Sequence, residues 1–336
     1  MTSIFVTNPN DGEAREPVMK AFVDGFDELV QNHSINVIVG AVCAAINIPL
    51  LIVFLTYRPF RQRHKILIAL ACADFINCLA IMFMGINRVN LYSKALDTLT
   101  IPIRNSWDCA VEAWLWLRGI GDLWPPIIQV IMGLERVVAV FKPVYFKSKS
   151  KKRSFWTISF SVIFVVSSLA AGFVIAWMNR GSKVKYYCGR KAAFSNSYGT
   201  FIYVTNVLGY ATGFIFNCMA YCKVKTFTSK NEKNRNMARL RYYIVISAIS
   251  TVLVSIPNLI SLTSVLFEKV SDAISKPAVW ATCINSGLNF FVYFALNMEF
   301  RKRILQLIGC GGQPESLTMM GQSTASQMNT QTTLRQ

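Results

Sequence analysis

Seven apolar runs, each about the length that crosses a bilayer, constrain this chain more than any other feature. They fall at roughly residues 35–57, 66–87, 110–134, 154–178, 199–222, 242–267 and 277–297. Polar residues interrupt the third and fifth runs. A backbone inside lipid must satisfy its own hydrogen bonds, so the runs are read as helices. The expected fold is an all-α membrane protein, a seven-transmembrane helix bundle. Only 15% of residues are charged, against about 25% in soluble domains.

Loop charge sets the expected orientation, because Lys and Arg accumulate on the cytoplasmic side. Loops 57–65, 142–153, 223–241 and 301–303 carry twenty Lys/Arg, while 1–34, 88–108, 179–191 and 268–276 carry twelve. The N-terminus is expected outside and the C-terminus in the cytosol, in a multi-pass plasma-membrane protein. Residues 1–34 form an extracellular N-terminal segment and lack the basic start and short apolar core of a cleaved signal. Residues 35–298 form the bundle. Residues 299–310 form an amphipathic membrane-surface helix, with Phe300, Ile304, Leu307 and Ile308 on one face. Residues 311–336 form a disordered cytoplasmic tail rich in Ser and Thr. The net charge of +18 is cytosolic loop charge near anionic lipid and calls for no nucleic acid.

Of nine cysteines, Cys43, Cys72, Cys78, Cys218, Cys222 and Cys283 fall inside runs and read as small apolar packing residues. Cys109 and Cys188 fall in outer loops, where disulfides persist. A bridge between them would tie the loop after span four to the top of span three. Cys310, just past the amphipathic segment, is a candidate for palmitoylation or a free thiol. Asn32 opens an Asn-His-Ser glycosylation sequon.

Polar residues inside spans carry the functional information. Asp74 and Asn47 sit mid-span. Asn285, Asn289 and Tyr293 recur every four residues on span seven and share one face. A lone Asp is explained by helix packing alone; with Asn47, Asn285, Ser286 and Asn289 it makes a network able to hold a sodium ion or water. Pro257 removes a hydrogen bond from span six and kinks it. Pro125 and Pro126 are expected to break span three. No enzyme reading survives: the two histidines, His33 and His64, lie at span ends, and there is no metal cluster, P-loop or dinucleotide turn. No inverted repeat of the transporter kind is found.

In this order and at these depths, the motifs resemble the rhodopsin-like (class A) G-protein-coupled receptors over roughly residues 35–308. Asn47 matches the span-one asparagine. Leu70-Ala71-Cys72-Ala73-Asp74 matches the span-two motif, and Glu135-Arg136-Val137 the Asp/Glu-Arg-Tyr motif. Pro257 matches the span-six proline, and Asn289-Phe290-Phe291-Val292-Tyr293 the Asn-Pro-x-x-Tyr motif. Val137, Phe290 and Ser255 depart from the usual Tyr, Pro and Trp. Gly213 stands where span five usually has a proline. These departures resemble the nematode chemosensory receptors of the SX class.

The resemblance implies an extracellular ligand, small molecule or peptide, and activation of a heterotrimeric G protein. It also implies arrestin and receptor-kinase partners for the Ser/Thr tail. Arg136 is then held by Glu135 at rest and released toward the G protein, with Tyr293 and Tyr221 rearranging and Pro257 as hinge. No carboxylate lock on Arg136 is expected from span six, whose approach offers only Glu232. The ligand pocket is expected in the outer half, with Arg118, Asp122 and Ser255 as candidates. A buried Arg118 favours a carboxylate or phosphate; an Arg118–Asp122 pair one turn apart would instead neutralise it. The rival readings are an ion or solute transporter or channel, and a receptor-fold scaffold that does not signal.

Overall fold

The computed structural model describes residues 6–7, 14–148, 150–227, 240–241, 243–267 and 272–309. Among these, seven helices are long and apolar enough to cross a membrane. They are α1 (Phe26–Thr56), α2 (Lys65–Thr98), α3 (Ala113–Phe141), α4 (Ser150–Met178) and α5 (Asn196–Phe227), then α6 (Tyr243–Thr263) and α7 (Asp272–Leu296). A shorter α8 (Met298–Leu307) follows. The protein is a multi-pass, all-helical membrane bundle.

Two expectations about helix limits are corrected. α1 begins at Phe26, so the end of the expected N-terminal segment is already helical. α3 runs unbroken through Pro125 and Pro126. Neighbouring helices support such prolines inside membranes, and here Pro126 packs on Gly209 of α5, where an added Cβ would lie 2.6 Å from the proline ring. α3 and α5 meet again lower down, where a Cβ on Gly133 would lie 2.8 Å from the Gly213 carbonyl. Small residues let backbones approach this closely. α4 turns Phe160, Ile163 and Val174 outward, an apolar stripe suited to lipid.

One end of the bundle is tied by loops. Strand β1 (Val6–Thr7) pairs with β2 (Ala14–Pro17), and β2 pairs antiparallel with β3 (Thr100–Pro102) beyond α2. Strand β4 (Arg104–Asn105) pairs with β5 (Lys183–Val184). Cys109 and Cys188 are joined by a disulfide next to that pairing. This is called the disulfide end below.

At the opposite end, Leu50, Phe54, Phe60, Leu70, Tyr293 and Phe300 belong to one apolar core. α8 is capped by the Asn297 side chain, which accepts from the backbone of Glu299 and Phe300. Phe300 and Ile304 are buried under it, while Leu307 and Ile308 lie past that contact and are exposed.

Candidate functional site

Two adjoining lobes of about 770 and 490 Å³ open at the disulfide end and share Arg88, Arg118, Tyr187, Arg190 and Tyr203. Arg118 and Asp122 lie one turn apart on α3 and pair at 3.2 Å. Arg190 also bonds Asp122, through its other oxygen. It comes from the short helix Arg190–Phe194, which the disulfide positions through Cys188 and Gly189. Burial disfavours charge on Arg190, but Asp122 and Tyr203 outweigh it and raise its pKa, so it remains a cation. Arg88, near the end of α2, donates to the Cys188 carbonyl at 2.9 Å. Its guanidinium lies 4.7 Å from the Tyr187 ring centre and 5.5 Å from that of Trp114. The second lobe is aromatic, with Tyr92, Tyr186 and Trp280 on its wall. Burial pushes Tyr186 up to about 12, so its hydroxyl keeps its proton near neutral pH.

A chain of side-chain contacts descends from this cavity. Arg118 donates to Asn77 Oδ1 at 3.1 Å, and Asn77 Nδ2 donates to Ser286 Oγ at 3.1 Å. Ser286 donates to Asp74 Oδ1 at 3.0 Å, and Asn289 donates to Asp74 Oδ2 at 2.6 Å. Asn47 donates to the Ser286 carbonyl at 3.2 Å. Arg190, Asp122, Arg118, Asn77, Ser286, Asp74 and Asn289 thus form one connected line through α2, α3 and α7. Hydrogen bonds to charged groups are the stronger kind. The carboxylate, the Ser286 hydroxyl and the amide oxygens of Asn47 and Asn285, both buried without a partner, are oxygen donors of the type hard cations take.

At the other end, Glu135 lies 3.5 Å from Arg153 of α4. Arg136 lays its guanidinium 3.7 Å from the centre of the Tyr243 ring on α6. Besides any contact between themselves, Glu135 and Arg136 each have a partner on another helix that the motif did not indicate. Adjacent helical residues point in different directions, about 100° apart, which favours such separate partners. Tyr293 is buried against Phe54 and Phe300. Tyr221 is half-buried on α5. Pro257 follows a π-helical turn, Thr251–Ser255, inside α6. A π turn marks local helix strain and is frequent at functional sites.

Arg118 and Asp122 line the cavity; Ser255 does not. The π turn aims its hydroxyl toward the Val207 carbonyl of α5, at 3.5 Å. Asn285, Asn289 and Tyr293 are all buried along α7. Asn32 lies within α1, where its amide donates to the Glu28 carbonyl at 2.9 Å. Cys310, Glu232 and the Ser/Thr tail lie outside the described residues. Sequence reasoning missed Arg88, Arg190, Asn77, Arg153 and Tyr243 as site residues. The one available signal was the position of Arg190, two residues beyond the disulfide cysteine.

No match was found among curated proteins. The family model described as serpentine type 7TM GPCR chemoreceptor Srsx matches residues 37–308. That range takes in Asn47, Asp74, the Glu135-Arg136 pair, the disulfide, most of the cavity lining and the α7 ladder. Members of the family are receptors and not enzymes. The chain belongs to the Srsx family of serpentine seven-transmembrane G-protein-coupled chemoreceptors.

Proposed function

We propose that this chain is a plasma-membrane receptor that binds a ligand at the disulfide end and activates a heterotrimeric G protein at the opposite end. The N-terminus lies outside. The excess of Lys/Arg in the loops at α8's end supports that orientation, as does a disulfide among the loops at the other. The observation that carries the reading is the connected line from Arg190 to Asn289. It gives a ligand in the cavity a physical route to α7, whose inner part packs on α8 and α1. A receptor needs two states with different ligand affinity. Arg136 on Tyr243 is the contact that holds α6 against α3 at rest. Pro257 and the π turn just before it form the hinge that lets α6 swing when that contact opens.

Arg136→Ala, expressed at the cell surface at wild-type density, is expected to abolish ligand-dependent guanine-nucleotide exchange. Normal exchange would overturn the assignment. Ligand-independent ion flux through the wild-type chain would favour a transporter instead.

A further inference from the structure

We propose that the ligand of this receptor is an amphipathic organic anion, its oxyanion held by Arg88 and Trp114 and its apolar body in the Tyr92–Tyr186–Trp280 lobe. This rests on the receptor reading above and names the ligand class of the same cavity.

The first observation is charge. Arg88, Arg118, Arg190, Lys183, Lys185 and Lys191 line the two lobes. Among the described residues, Asp122 is the one carboxylate on either wall. Asp122 is shared by Arg118 and Arg190, so the pair expected from the sequence forms without neutralising the site. Arg88 has no carboxylate: it meets the Cys188 carbonyl, the Tyr92 hydroxyl and the faces of Tyr187 and Trp114.

The second observation is independent of charge. Two buried donors on this wall meet no acceptor. Arg88 Nη1 and Trp114 Nε1 are both without a hydrogen-bond partner, on residues only 6% exposed. Buried donors are normally satisfied, and leaving one unmade is costly. Indole nitrogen and guanidinium can only donate. The missing group is therefore an acceptor, and beside an uncompensated guanidinium an anionic oxygen is the acceptor that gains most.

Shape supplies the rest of the ligand. Arg88 lies on both lobes, so a head on Arg88 stands where they join. The second lobe offers the Tyr92 and Tyr186 rings, 6.4 Å apart and perpendicular, with Trp280 also on the wall. The Trp280 indole N–H is already used by Asn36, at 2.8 Å, and presents its ring to the lobe. Pockets of a few hundred Å³ with apolar walls and few polar anchors suit small organic ligands.

Purified receptor in detergent, without G protein, tests this with three probes: 3-phenylpropanoate, phenyl phosphate and the neutral 3-phenylpropanamide. Equilibrium binding is read by radiolabel displacement and by thermal stabilisation. At least one anion is expected to bind at least tenfold more tightly than the amide. The better anion tells a carboxylate site from a phosphate site. Arg88→Gln should remove that preference. Trp114→Phe keeps the ring and should weaken the anion several-fold while the amide is unmoved, which guards against misfolding of the Arg88 variant. Equal binding of amide and anions, binding of neither anion, or anion affinities unmoved in both variants would overturn the proposal. Because no G protein is present, failure of coupling leaves this result untouched.

Discussion

Replacing Tyr243 with Leu removes the ring beneath Arg136 while keeping an apolar side chain. Tyr243 is 1% exposed and the guanidinium carbon sits 3.7 Å from its centroid. A desolvated cation–π contact is worth about 2 kcal/mol. At about 1.4 kcal/mol per factor of ten, its loss shifts the resting–active equilibrium roughly 30-fold. A receptor that is about 1% active without ligand would become roughly a quarter active. The assay is guanine-nucleotide exchange without ligand, normalised to surface density. Tyr243→Phe keeps the π face and should leave basal exchange near wild type. Core truncation lowers stability in both states, and surface normalisation removes that part. Basal exchange in Tyr243→Leu equal to wild type would refute the claim that this contact restrains α6.

The Glu135–Arg153 pair is partly exposed, so Glu135→Gln should raise basal exchange by only a few-fold, consistent with at most about 1 kcal/mol for such pairs. Ser286→Ala removes one donor to Asp74 and the acceptor of Asn77; ligand binding to the purified receptor should persist while maximal exchange falls, since about 1–3 kcal/mol of coupling is interrupted. Gly121→Ala would place a Cβ 2.7 Å from the Asn77 backbone; thermal unfolding should show a loss of about 1–3 kcal/mol, with a weakened ligand response from the displaced Arg118–Asn77 bond.

Much of the bundle could be read from the chain because lipid leaves so few options. An apolar run of the right length has to become a helix. Asp74, Asn47 and the α7 ladder were legible for the same reason: a polar group in hydrocarbon has to find partners. What escaped was set by contacts between helices distant in sequence. Arg190 looks like one more loop cation until the disulfide carries it over Asp122. Tyr243 looks like an ordinary aromatic at a span end, yet its ring lies under the Arg136 guanidinium. Counting from Pro257 on a regular helix puts Ser255 in the pocket. The π turn changes which way it faces, and counting on a regular helix cannot anticipate that. Pro125 and Pro126 suggest a break from sequence because the glycine that Pro126 packs on lies on another helix.

That π turn has a bearing on how receptors of this kind diversify. An α-helix advances about 100° per residue, so one residue more or fewer in the turn rotates everything beyond it by roughly that angle. Asn258 and Ser261, which face the second lobe, lie just beyond Thr251–Ser255. A single-codon deletion there would exchange the polar side chains shown to the ligand for apolar neighbours such as Leu259 and Leu262, with no other change in the gene. Ligand preference could then change by one in-frame deletion as well as by substitution.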